Sequence, residues 1–183
     1  NNPFKAPYVI MEKMEGISVP PDSKLVDKLK QDPDIAYQLG AFLSSIHQDK
    51  FPYFGNMSGE QYALHTFPER LAKTIKQLAL RPNARQNVKL QKLLPEYIAM
   101  ANSMSPPASC SIIMLDLWPS QFLVEKLKSE EMKLSALIDL ESFVIGPIGL
   151  ELTLLELWME KLGKFKEGYF EIQKEWEDFE DNR

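Results

Sequence analysis

Ser111-Ile112-Ile113-Met114-Leu115-Asp116-Leu117-Trp118-Pro119-Ser120-Gln121-Phe122-Leu123-Val124 is the stretch whose reading decides the fold. Apolar residues run up to Asp116, a polar turn with Pro119 and Ser120 follows, and a second apolar run begins at Phe122. Short apolar runs flanking such a turn read as buried strands, and an acid between them sits where a rigid scaffold presents a loop to substrate. A second acid has similar surroundings in Ala136-Leu137-Ile138-Asp139-Leu140-Glu141. Phe122 to Leu127 and Met132 to Asp139 read as two strands joined by the polar turn Lys128-Ser129-Glu130-Glu131. That is an antiparallel hairpin with Asp116 and Asp139 at one end of a small sheet. Acids so placed can converge on a metal or on a proton to be moved.

Helices are expected on both sides of this hairpin. Tyr8 to Met11 is a short strand-like run that leads into Glu12-Lys13-Met14-Glu15-Gly16. The first helix signal is Asp32 as N-cap with Pro33 at the first helical position. Ile35, Leu39, Phe42, Leu43 and Ile46 follow at helical spacing, and His47 closes the helix in a structural role. Ser58 with Gln61 has the form of a capping box, predicting a helix through Tyr62 and Leu64 that Pro68 kinks or divides. Asn83 with Gln86 repeats the form ahead of Val88, Leu90, Leu93, Leu94, Ile98 and Met100, with a break at Pro95. Beyond the hairpin, Leu150, Leu154, Leu157 and Trp158 predict a buried helix, and Gly163 an interruption. Phe165, Tyr169, Ile172, Trp176 and Phe179 mark the core stripe of a last helix, with acids opposite. The fold class is α+β, mostly helical.

The 183 residues suffice for one sizeable core. With 44% hydrophobic and 26% charged residues the composition is that of an ordinary soluble globular protein. A net charge of −5 without a basic cluster argues against a nucleic-acid partner, and an acidic surface suits a cationic small molecule better than an anionic one. The lone Cys110 excludes an internal disulfide and favours a reducing compartment. No apolar run approaches the roughly 18 residues of a membrane span, so a cytoplasmic location is expected.

The order of these features resembles the C-terminal lobe of the aminoglycoside phosphotransferase and choline kinase family, which has a protein-kinase-like fold. The resemblance runs from about Tyr8 to about Leu162. The Asp116 stretch is similar to the family motif His-Gly-Asp-Leu-His-x-x-Asn, and Ala136–Glu141 to Ile-Asp-Trp-Glu. The resemblance implies that residues 1–16 are the last strand of a small lobe and its hinge, the rest of that lobe being largely absent. Residues 17–183 would be the helical large lobe carrying the hairpin. It implies ATP and Mg2+ as cofactors and a small-molecule hydroxyl as acceptor. Met11, Glu12 and Met14 would frame the adenine, Asp116 would be the catalytic base, and Asp139 would hold magnesium with Gln121 as second metal ligand. Gly146 and Glu151 fall where the family has the Gly and Asp of Gly-Asp-Pro-x-x-Asp-Leu-Ala.

Met114 replaces the motif's first His, Leu115 its Gly and Gln121 its Asn, while Trp118 at its later His, and Leu140 at the Trp of the second motif, are further changes. Gln carries its amide oxygen one methylene further out, and Met114 cannot brace the loop as a His side chain would. These departures favour an alternative in which the fold persists as a catalytically impaired binding or scaffolding module. A third possibility, a plain helical interaction domain, predicts no hairpin between Phe122 and Asp139.

Overall fold

The computed structural model describes residues 14–20, 23–56, 59–127, 131–138 and 143–171. The hairpin predicted from the sequence is present: β5 (Phe122–Lys126) pairs antiparallel with β6 (Met132–Leu137). Alternation sets its inner face, with Phe122 and Val124 buried on β5. A short strand, β1 (Ile17–Ser18), pairs with the other side of β5, giving the order β1-β5-β6. The existence of this ribbon excludes the plain helical domain.

A second sheet has the order β3-β2-β7-β4, built from β2 (Tyr53–Asn56), β3 (Gln61–Ala63), β4 (Ser111–Met114) and β7 (Phe143–Gly146). β4 is the apolar run that leads to Asp116, and its register on β7 pairs Ser111 with Gly146 and Met114 with Phe143. The helix predicted from Ser58 and Gln61 does not form. Gln61 opens β3, which pairs with β2, and Ser58 lies outside the described residues. Tyr53, Phe54 and Tyr62 are good strand formers, and Gly55 permits the tight return. Its φ is +155°, and a Cβ there would lie 1.7 Å from the Glu60 carbonyl oxygen.

The central helix is α2 (Pro33–Ile46), with Asp32 as its N-cap accepting from the Asp34 and Ile35 N–H groups. Ile35, Leu39 and Leu43 are buried as expected, whereas Phe42 is exposed. α7 (Leu162–Phe170) packs along α2 and buries Phe165 and Tyr169. Two glycines bring these backbones together. A Cβ at Gly40 would lie 2.1 Å from the Phe165 carbonyl oxygen, and one at Gly168 equally close to that of Tyr37. Gly163 does not interrupt anything; it lies in the first turn of α7.

Ahead of α2, α1 (Lys24–Gln31) sets Leu29 in the core, with Leu25 and Val26 against it. After β3 come α3 (Phe67–Ala79), α4 (Pro82–Gln86) and α5 (Val88–Ser103). Pro68 neither kinks nor divides α3, because it sits in the first turn, where its missing N–H costs nothing. The cap before α5 is Asn87, whose side chain accepts from the Leu90 N–H, and Asn83 lies inside α4. α5 runs unbroken through Pro95. Packing along α3 outweighs the helix-interior penalty of about 3 kcal/mol. Its apolar residues are only partly core, since Val88 and Met100 are exposed.

α6 (Ile148–Glu156) buries Glu151, Leu152 and Leu155; of the predicted stripe, Trp158 is buried in the core, Leu150 and Leu154 are half-buried, and Leu157 is exposed. Glu151 turns inward beside these residues to serve partners described below. On the outer edge of the hairpin, the Gln38 side chain completes β6. Its Nε2 donates to the Met132 carbonyl at 3.4 Å, and its Oε1 accepts from the Leu134 N–H at 2.9 Å. The main core joins both layers through Leu39, Leu43, Met114, Leu117, Phe122 and Phe165.

Candidate active site

Asp116 lies in the turn between β4 and β5, with its side chain exposed. The backbone on either side of it is held by side chains. The Met114 N–H donates to Glu151 Oε1 at 2.7 Å. Beyond Asp116, the Leu117 carbonyl accepts from Trp158 Nε1–H at 2.9 Å. The Trp118 N–H donates to Gln121 Oε1 at 3.2 Å, while the Gln121 N–H donates back to the Trp118 carbonyl at 2.9 Å. Met114 and Leu117 are themselves buried, so the turn is pinned from below and only its tip faces water.

Glu151 owes its position to a buried chain of polar groups. Its Oε2 lies 2.7 Å from His47 Nε2, and His47 Nδ1 lies 2.7 Å from the Tyr169 hydroxyl. All three side chains are shielded from solvent. A buried charge is tolerable only when paired and hydrogen-bonded; here Oε1 accepts the Met114 N–H and Oε2 sits at ion-pair distance from His47. The contact between His47 and Glu151 is one of proximity and charge, and the direction of the His47–Tyr169 hydrogen bond follows the imidazole tautomer. A loop His is therefore not required to brace this turn: with Met114 in its place, the Met114 backbone N–H makes the tie to Glu151. The sequence marks His47 as a structural helix terminus and Glu151 as matching a family acid, and the structure adds their contact. Helical spacing alone cannot show that two residues so far apart in sequence meet.

Gln121 is only 6% exposed, and its amide oxygen serves the turn. Its carbonyl oxygen accepts from the Ile138 N–H at 2.8 Å, so ribbon pairing continues to the residue before Asp139. Asp139, Met11 and Glu12 lie outside the described residues. Met14 is exposed ahead of β1, and the adjacent Glu15 carbonyl accepts from Ser135 Oγ on β6. Thus the described structure joins the Asp116 turn, Gln121 and the approach to Asp139. Among the described residues no group of three or more His, Cys, Asp or Glu side chains could hold a metal ion. Gln121 fits a structural amide better than a metal ligand, because its oxygen already accepts a hydrogen bond within a buried turn.

Cys110, immediately before β4, is buried, and burial pushes its thiol from 9.0 up to about 11. A thiol held protonated at neutral pH is a poor nucleophile. Among the described residues no helix is long and apolar enough to cross a membrane.

The described site is thus an exposed acid on a turn between two buried strands, its backbone tied to the inward acid of α6. A model of the phosphotransferase enzyme family matches residues 2–180, nearly the whole chain. The protein belongs to that family, in agreement with the aminoglycoside phosphotransferase-like resemblance of its sequence. Searches of curated proteins and of solved structures give no match.

Proposed function

We propose that the chain carries the large lobe of an ATP-dependent phosphotransferase acting on a hydroxyl of a small molecule. Asp116 takes the proton of the acceptor hydroxyl. The acceptor oxygen forms a bond to the γ-phosphorus, the bond from that phosphorus to the β–γ bridging oxygen breaks, and ADP leaves. ATP supplies the phosphoryl group, and Asp139 would hold the magnesium ion that accompanies it. The observation that carries this reading is the exposed Asp116 carboxylate on a backbone fixed at Met114, Leu117 and Trp118. Phosphoryl transfer depends on positioning and charge stabilisation, and a turn fixed on both sides of its acid supplies the positioning.

One observation favours the second reading, a family member that binds without catalysing: the Gln121 amide is committed to the Trp118 N–H. Measurement of ATP consumption with a panel of alcohols, together with the thermal shift caused by ATP and magnesium, separates the two. The enzyme reading expects turnover that Asp116→Asn abolishes and a thermal shift that Asp139→Asn removes. A thermal shift without turnover supports the binding module. An unchanged shift in Asp139→Asn overturns the metal assignment.

A further inference from the structure

Trp118 stands two residues beyond Asp116 in a supported setting. Its indole lies in an offset stack on Trp158, with ring centroids 6.2 Å apart and planes inclined by 28°. Trp158 is buried, leans on Phe122 at 6.1 Å and is anchored through its indole N–H on the Leu117 carbonyl. The Trp118 backbone is fixed by Gln121. The ring is therefore backed by a second indole, while 43% of the residue stays open to solvent. Leu115, also 43% exposed, precedes Asp116. The acid thus lies between two exposed apolar side chains within one turn.

An exposed indole held by its neighbours offers a flat surface whose ordering cost is already met. Offset stacking on such a face rewards planar apolar bodies. Cage recognition of a quaternary ammonium would call for several rings around the cation, and the residue on the other side of Asp116 is aliphatic.

We propose that Trp118 is the stacking platform of the acceptor subsite and selects hydroxyl compounds carried on an aromatic or flat apolar scaffold. This rests on Asp116 being the base of the reaction, and it narrows the acceptor class. Trp118 acts in binding: it holds the acceptor and takes no proton.

The test uses the full chain with 4-nitrophenyl β-D-glucoside, methyl β-D-glucoside and choline. Binding is followed by calorimetry without nucleotide, and phosphorylation with ATP and magnesium. The aryl glucoside is expected to bind at least about tenfold more tightly than the other two, the scale of one aromatic stacking contact. Trp118→Ala should lose about that factor for the aryl glucoside, while Trp118→Phe keeps most of it. Circular dichroism checks that both variants fold. Asp116→Asn should keep binding and lose transfer. Absent aryl binding, equal affinity for all three probes, a preference for choline, or unchanged aryl affinity in a folded Trp118→Ala overturns the proposal. Binding through Trp118 without phosphorylation leaves the subsite standing and removes the base assignment. Equal phosphorylation of both glucosides by parent and Trp118→Ala removes the subsite and leaves the base.

Discussion

Glu151 and His47 meet at 2.7 Å with both side chains excluded from solvent, and the free oxygen of the same carboxylate takes the Met114 N–H. One buried acid therefore ties α6 to the end of α2 and to the strand that leads to Asp116. Removing one partner leaves an uncompensated group in the core. Glu151→Ala and His47→Ala should each lower the unfolding free energy by about 3–5 kcal/mol. The double variant should cost less than the sum of the two, because the pair is lost only once. Urea denaturation of the four proteins measures this, and strict additivity would contradict the coupling.

Asp116 makes no comparable contribution to stability, because its side chain is exposed. Asp116→Asn should shift the melting temperature little while lowering any phosphotransferase rate by about 10²–10⁴-fold, the usual range for a general base. Parallel melting curves and steady-state assays check both halves. A large loss of stability in this variant would mean that the carboxylate serves the turn instead of the substrate.

The α2–α7 seam is set by Gly40 and Gly168, where a Cβ would meet a facing carbonyl oxygen at 2.1 Å. Neither clash is with a movable side chain, so the helices must part. Gly40→Ala and Gly168→Ala should each destabilise by about 1–3 kcal/mol or more, even though alanine is the better helix former. Chemical denaturation tests this, and stabilisation by either substitution would show that the helices are not in such close contact.

Cys110 holds its proton up to about 11 because it is buried. At pH 8 the folded protein should react negligibly with a maleimide, and should react with one equivalent once unfolded in guanidinium. The unfolded chain releases this proton near 9.0, before the folded one does. The linked stability is thus complete below about pH 9 and falls as pH rises toward 11. Denaturation at pH 8 and pH 10.5 in the parent and in Cys110→Ala isolates that share.

Local chemistry made some of this readable in the sequence and left the rest hidden. Asp32 followed by Pro33 announces α2 without ambiguity, and the alternating run from Phe122 with a polar turn announces the ribbon. Gln61, Asn83 and Pro95 misled because capping patterns and prolines describe what a segment can do alone. Strand pairing of β3 with β2, and packing of α5 on α3, decided otherwise. The sequence draws attention to Asp116 by its place between apolar runs, and the structure sets it exposed in the turn after β4. The ties that hold its turn come from Glu151, Trp158 and Gln121, two of them on a distant segment, and the sequence carries no sign of such meetings. The face of α6 that carries Glu151 buries Leu152 and Leu155 and leaves Leu157 exposed.

The side-chain amide of Gln38, lying along Met132 and Leu134, has a consequence for the behaviour of the protein among its own copies. An uncovered outer strand offers unsatisfied peptide groups on which another chain can add. Here a single residue of α2 occupies the positions an incoming strand would use first, so the ribbon ends where it is and resists growing into a shared sheet between molecules.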